Sequence, residues 1–229
     1  MAVQYSFGKI VTDGLVLALD AADRNSYVSG STTWFDVSGN NNSGSLVNGP
    51  TFNSGNGGSI VFDGVDDYVS LGNNSNLQTN QGTVSTWIKT TQPGSNFRGI
   101  VTKQNNYGLF TNNGVLVTYD WGNVQTRTTG INIADGTWKN IVMSFTTNTG
   151  TPLNNAVIYL NGVEVLLTTI KFLNNNVEVQ VANGGAFSSV QFTQVLNGNI
   201  PSVQIYNRAL SASEVLQNYN AQKSRFGLT

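Results

Sequence analysis

The chain has no histidine and no cysteine in 229 residues. Without His, no side chain has an unperturbed pKa near neutrality, which removes imidazole bases and imidazole metal ligands. Without Cys there is no disulfide, no thiolate nucleophile and no thiolate metal site. A domain of this length buries roughly 70% or more of its unfolded surface and folds without cross-links. A Cys-free chain also accords with assembly in a reducing cytoplasm. Glutamate is scarce, standing only at positions 164, 178 and 214. Charged residues make up 10% of the chain and nearly cancel, for a net charge of −1. There is no basic stripe, which argues against nucleic acid as a partner, and no acidic tail. Long apolar runs are lacking too. Leu15 to Leu19 falls far short of a bilayer span, and Met1 to Lys9 has no charged-then-apolar export pattern. Membrane insertion is therefore not expected.

What is present is Asn, the commonest residue, with abundant Gly and Thr and 10% aromatics. Asn and Gly supply turns, and Thr and Val supply strands. This is the balance of a many-stranded, turn-rich domain rather than a disordered chain. Leu15-Val16-Leu17-Ala18-Leu19 reads as a strand buried on both faces. From residue 83 onward strands recur about every ten residues, as in a sandwich. Trp138 to Phe145 alternates, with Trp138, Asn140, Val142 and Ser144 on one face and Lys139, Ile141, Met143 and Phe145 on the other. Asn161-Gly162, between Ala156–Leu160 and Val163–Val165, predicts a type I′ hairpin. Gly198 to Asn207 reads as a late strand with Pro201 near its start, which an entry position tolerates. Ser211 and Glu214 form an S-x-x-E capping box ahead of a short helix at about 212–219. Residues 171–197 are the least legible. No linker or repeat divides the chain, so residues 1–229 are expected to form one domain, with residues 1–13 a candidate arm and 222–229 a tail.

The stretch Phe62-Asp63-Gly64-Val65-Asp66-Asp67-Tyr68-Val69 predicts a tight turn at Asp63-Gly64 between two strands. It also resembles the F-D-G-x-D-D-Y-V motif of laminin-G-like domains in the concanavalin A-like jelly-roll superfamily. The resemblance runs along most of the chain. It includes Gly14 to Ala21, Ser26-Tyr27, Thr33-Trp34 with Asp36, Ser38-Gly39-Asn40 and Asn48-Gly49-Pro50-Thr51-Phe52. Tyr159-Leu160-Asn161-Gly162, Val203 to Glu214 and the tail through Arg225-Phe226-Gly227-Leu228 continue it. One departure is Trp138-Lys139-Asn140, where the family's W-x-H has its His replaced by Asn. The two ends are similar to those of laminin-G-like proteins in tailed bacteriophages. The resemblance implies an all-β, two-sheet antiparallel jelly-roll sandwich with one short C-terminal helix. It further implies a virion-surface protein assembled in the host cytoplasm, with other capsid or tail proteins as partners and a homo-oligomer left open. The fold hosts many functions and decides none of them.

A glycosidase on this fold needs two carboxylates flanking a sugar bond. None of the three Glu has an acid two residues away. The close acid pairs are Asp20 with Asp23 and Asp66 with Asp67, and the latter two, if in a strand, point to opposite faces. Hydrolysis is disfavoured, and no catalytic residue is assigned. Ca²⁺ takes carboxylate, amide and carbonyl oxygens. Asp66 and Asp67 are its candidates, against the alternative of a solvated turn. Sugar binding uses an aromatic platform with amide and carboxylate partners. Tyr119, Asp120, Trp121 and Asn123, just past an apolar strand, are the candidates, against the alternative that Trp121 caps the core. Trp34, Trp87, Trp138, Phe62 and Tyr206 are expected in the core, and Arg208 is expected to pin the helix. The reading that results is a non-enzymatic capsid-decoration or head-fibre protein, with a glycan-binding tail-fibre adhesin as the alternative.

Overall fold

The structure, a computed structural model, describes residues 9–93, 96–147, 155–173, 176–184 and 194–229. Among them the chain runs through β1 (Leu15–Asp20), β2 (Thr33–Trp34), β3 (Gly44–Val47), β4 (Thr51–Asn53), β5 (Ser59–Asp63), β6 (Tyr68–Ser70) and β7 (Gly82–Ile88). It continues through β8 (Phe97–Lys103), β9 (Tyr107–Asn112), β10 (Val115–Asp120), β11 (Gln125–Asn132), β12 (Lys139–Phe145), β13 (Ala156–Leu160) and β14 (Val163–Thr168). Then come β15 (Val179–Val181), β16 (Asn197–Ile200), β17 (Ser202–Tyr206) and one helix, α1 (Ala212–Gln222).

The strands form a jelly-roll sandwich. A six-stranded sheet has the order β1-β17-β7-β12-β13-β14, and an eight-stranded sheet the order β11-β10-β9-β8-β15-β6-β3-β2. A three-stranded sheet, β16-β5-β4, closes one side. Every strand pairing described is antiparallel.

Period-two alternation puts two different faces of β12 to use. Ile141, Met143 and Phe145 enter the main core between the sheets. Val142 points the other way, into a second apolar cluster with Tyr159, Tyr206, Leu210 and Val215. That second cluster is where α1 covers the outer face of the six-stranded sheet. The outer face of the eight-stranded sheet carries no helix among the described residues.

β1 lies at an open sheet edge, where unpaired backbone groups invite pairing with another chain. The segment after β2 covers it. Asp36 Oδ1 accepts from the Ala18 amide at 2.9 Å, the Val37 amide bonds the Ala18 carbonyl at 2.9 Å, and Asn42 Nδ2 donates to the Val16 carbonyl at 2.7 Å. The C-terminus closes the same region. Arg225 Nη1 bonds Asp20 Oδ1 at 2.7 Å, and its other nitrogens reach the Asn56 and Gly58 carbonyls at 2.6 Å. The residues that carry the family resemblance at both chain ends therefore meet in one structural network.

The helix starts as its sequence requires. Ser211 caps it, Glu214 completes the capping box, and Arg208 holds Glu214 through two bonds of 3.0 and 2.6 Å. Arg208 also pairs with Asp13 at 2.8 Å. The Asn161-Gly162 turn forms with φ of 52° and 78°, as a type I′ hairpin needs.

Three expectations need correction. Trp138 lies just before β12 rather than in it, and is half-buried rather than core. Its ring packs on Phe226 at 4.9 Å and its indole N–H donates to Asn56 Oδ1 at 3.1 Å. Pro201 does not open one long strand. It marks the corner where the chain leaves the three-stranded sheet as β16 and enters the six-stranded sheet as β17. The turn expected at Asp63-Gly64 does form between two strands, with Gly64 at φ 80°, and it bridges two sheets, since β5 and β6 belong to different ones. Finally, the tail is not a free arm. A 3₁₀ turn, Lys223–Phe226, follows α1, and buried Phe226 stacks on Trp87 with ring centroids 4.1 Å apart. At the other end, of the candidate arm 1–13, residues 1–8 lie outside the described residues. Its remainder docks on α1, where the Val11 amide bonds Asn218 Oδ1 at 2.8 Å.

Candidate functional site

The open face of the eight-stranded sheet is built by β8, β9 and β10. Tyr107, Leu109 and Leu116 point into the core. Their alternates Phe110, Val117 and Tyr119 point outward, and the register sets Phe110 beside both Gly99 and Val117. Phe97, from β8, and Trp121, just past β10, complete a closed circuit of four rings. Phe97 meets Phe110 edge-on at 5.8 Å and Tyr119 edge-on at 5.7 Å. Trp121 meets Tyr119 at 5.5 Å and Phe110 at 6.0 Å. Phe110 is buried and forms the floor, while the other three rings are half-exposed around it. They line a cavity of about 340 Å³ with Val124, Gly184 and Gln194.

Two close approaches make the pocket. Trp121 lies over Gly108, where an added Cβ would sit 2.6 Å from the Phe110 ring and 3.1 Å from Trp121. The backbone at Asn183-Gly184 crosses Gly99, where an added Cβ would come within 2.0 Å of the Asn183 carbonyl. Glycine at both places lets a ring and a chain segment lie directly on the sheet.

Asp120 has a different place from its neighbours. Alternation turns it away from the pocket, and it is fully buried. Oδ1 accepts from the Asn123 amide at 3.2 Å and the Lys171 amide at 3.0 Å. Oδ2 accepts from Asn123 Nδ2 at 2.9 Å and Arg127 Nη2 at 2.7 Å. Burial opposes its ionisation, but the bonds from Asn123, Lys171 and Arg127 outweigh that and hold its pKa below the usual carboxylate value. Asp120 is thus an anchor for the turn that presents Trp121, with no oxygen left facing the pocket. The Asn123 amide is spent on the same anchor, and Asn123 itself is exposed.

Of the four residues proposed for sugar contact, the structure brings Tyr119 and Trp121 to the cavity wall and sets Asp120 and Asn123 behind it. Phe97, Phe110, Val124, Gly184 and Gln194 had not been singled out. Phe110 was within reach, because the Asn112-Asn113-Gly114 turn fixes the β9–β10 register and places Phe110 opposite Val117. Gln194 had no signal, since only the fold returns residue 194 to β8, where the Gly99 amide bonds its carbonyl.

Asp66 and Asp67 do come together, and Asp63 joins them, with one carboxylate oxygen of each within 4.8 Å of the others. All three lie in or beside the turn between β5 and β6, which is why strand alternation does not separate them. Asp67 is buried and its Oδ2 accepts from the Asp63 amide at 3.0 Å. Burial, and then the charges of Asp63 and Asp66, push its carboxyl above the usual range despite that bond. The donor set is all oxygen and anionic, which fits a hard cation such as Ca²⁺.

A second groove, of about 510 Å³, runs between residues 27–32 and 46–52. Its ring at Tyr27 is only 4% exposed and its hydroxyl is spent on the Ser31 carbonyl. It therefore offers a ligand less than the four-ring pocket does.

A family model described as the concanavalin A-like lectin/glucanases superfamily matches residues 63–216. No curated protein sequence matches the chain. Among solved structures, the binding domain of Paraclostridial Mosquitocidal Protein 1 superposes with a TM-score of 0.69 at 19% identity, covering 92% of this chain and 52% of that one. Domain 4 of AbnA, a GH43 extracellular arabinanase from Geobacillus stearothermophilus, in complex with arabinotriose, gives 0.65 at 20% identity over 90% and 98%. Trypanosoma rangeli sialidase in complex with sialic acid gives 0.67 at 14% identity over 93% and 33%. The chain thus spans about half of the first protein and a third of the last. At these identities the likeness is one of fold.

Proposed function

The chain belongs to the concanavalin A-like lectin/glucanases superfamily, and we propose that it is a non-enzymatic carbohydrate-binding protein whose ligand sits in the four-ring pocket. One observation carries the reading. Three half-exposed rings surround a buried fourth on a broad sheet face that no helix covers among the described residues. Sugar rings present C–H faces that pack on aromatic faces, while their hydroxyls bond to neighbouring polar groups. Among the described residues no carboxylate lines the pocket, so binding there has no acid–base pair to lead to hydrolysis. That the AbnA domain, which the chain matches over 98% of its length, is held with arabinotriose supports a carbohydrate ligand.

The setting we propose is the surface of a tailed-phage particle, with capsid or tail proteins as partners. Its support is the likeness of residues 14–71 and 203–228 to phage laminin-G-like chains. A decoration or head-fibre subunit is the first reading. The aromatic pocket favours the tail-fibre adhesin as the second. For Asp63, Asp66 and Asp67 we propose Ca²⁺, which would neutralise the crowded carboxylates and fix the turn between β5 and β6.

A glycan array probed with the wild-type protein and with Trp121→Ala tests the reading. Saturable binding that Trp121→Ala removes is the expected result. Binding indifferent to Trp121 would move the site elsewhere, and no binding by either protein would overturn the carbohydrate reading. Immunogold labelling of particles distinguishes head from tail.

A further inference from the structure

The ligand's charge can be read from what lines the pocket, and this step rests on the carbohydrate reading above. The described lining residues are four aromatics, Val124, Gly184 and Gln194, with no acid and no base among them. No Asp, Glu, Lys or Arg occurs from Val179 to Asn207 or from Gln92 to Phe97. Arg98, which follows Phe97, pairs with Thr111 across β8 and β9, one position out of step with the outward Gly99–Phe110 pair, and so belongs to the other face of the sheet.

Neither Arg127 nor Lys171 is among the residues that line the cavity. Arg127 pairs with Thr118 across β10 and β11, which puts it on the inward face, and its guanidinium is bound to Asp120 at 2.7 Å. Lys171 is exposed beside the turn. Its amide bonds Asp120 Oδ1, and its stem packs against Gly122. What remains for a ligand is polar but uncharged. The Tyr119 hydroxyl, the Trp121 indole N–H and the Gln194 side-chain amide have no hydrogen-bond partner among the described residues.

Aromatic faces carry the negative side of the ring quadrupole. A carboxylate or sulfate brought against them would lose its water with no cation to replace it, which is strongly unfavourable. A sugar's C–H groups carry the opposite polarity and suit the same surface. A cavity of about 340 Å³ is at the small end of ligand sites, roughly 300–1,000 Å³, and suits a mono- or disaccharide.

We infer that the pocket selects an uncharged sugar and rejects sialylated and other anionic glycans. A shared fold with a protein held with sialic acid therefore does not extend to a shared ligand here.

The test uses matched pairs of immobilised glycans that differ only in a terminal sialic acid or a sulfate, probed with the full chain, with Trp121→Ala and with Val124→Lys. The expected pattern is binding to neutral members and at least about tenfold weaker binding to their anionic partners. Binding to the neutral members should be nearly unchanged from low to high salt, since no ion pair is made. Trp121→Ala should lose it. Val124 is 75% exposed at the pocket rim, so Val124→Lys should fold normally and narrow the gap between neutral and anionic members. Equal or tighter binding of the anionic members by wild type would overturn the inference while leaving the carbohydrate reading intact. Choline, a cation that aromatic rings attract, serves as a competitor. Efficient displacement of the neutral glycan by choline would also overturn the inference. Absence of binding to every glycan would remove both readings together.

Discussion

Arg127 Nη2 lies 2.7 Å from Asp120 Oδ2, and this pair, with the Asn123 and Lys171 amides, fixes the turn that holds Trp121 over the sheet. The acid and the ring are consecutive residues with opposite fates. Asp120 faces inward and is fully buried, while Trp121 faces the pocket. The acid serves the site by positioning.

Replacing Asp120 by Ala should therefore weaken glycan binding without removing a ligand contact. It also strips the partner from Arg127, whose side chain is only 28% exposed. Leaving a buried network broken costs about 2–4 kcal/mol. Urea unfolding should show that loss. Asp120→Asn, which keeps one acceptor oxygen for the Asn123 and Lys171 backbone amides but gives up the bond from Arg127, should lose less stability and retain measurable binding.

Trp121 and Trp87 should separate function from stability. Trp121→Ala is expected to weaken sugar binding about 10-fold or more, on the order of 1–2 kcal/mol, with little change in unfolding midpoint. Trp87 is 1% exposed, stacks on Phe226 and Tyr219, and donates to Gln222 Oε1 at 2.6 Å. Trp87→Ala should cost about 3–5 kcal/mol of stability. Calorimetric melting beside binding titrations on the same preparations checks both.

Glu214 gives a pH signature. Its bonds from Arg208, then from the Ser211 amide, hold its pKa at about 2, below the ordinary 4.5. The folded pKa is depressed, so the contribution to stability is present above pH 4.5 and lost as pH falls toward 2. Glu214→Gln should therefore lower the melting temperature at pH 6 and match wild type near pH 2. A constant gap at all pH values would point to packing rather than charge. Asp135 will keep part of the acid limb in both proteins. Burial opposes its ionisation, but bonds from Lys139 and Thr137 bring its pKa to about 2.

The three-carboxylate turn makes the opposite prediction. Asp67 titrates above its ordinary value, so without a cation its charged form destabilises the fold, and this loss grows as pH rises through the folded pKa. In chelator, Asp66→Asn should raise the melting temperature by roughly 1–2 °C, as for a few tenths of a kcal/mol. Added Ca²⁺ should stabilise wild type and leave Asp66→Asn nearly unmoved. If Ca²⁺ shifts both equally, the ion binds elsewhere.

Much of this molecule was legible before any coordinates. The alternation of Ile141, Met143 and Phe145 against Val142 determined which face of β12 meets the core, because side-chain direction in a strand has period two. Ser211 with Glu214, and Asn161 with Gly162, set a helix start and a hairpin through bonds and dihedrals local to each motif. The lack of His and Cys and the scarcity of Glu narrowed the chemistry. Tyr119, Asp120, Trp121 and Asn123 stand out in the sequence because aromatic, acid and amide side chains fall together just past an apolar strand, and two of the four reach the cavity wall.

Tertiary structure decided the rest. Only the fold closes Phe97, Phe110, Tyr119 and Trp121 into one wall, since the outer face of β8–β10 is assembled by pairing across hairpins and by a segment returning from residue 194. It also turned Asp120 from contact to anchor, because burial depends on what packs behind the strand. It joined Asp63 to Asp66 and Asp67 by bending the chain between two sheets. And it brought Arg225 to Asp20 across 205 residues. Local sequence carries backbone preference and period; which distant groups share one small volume is set by how the sheets stack.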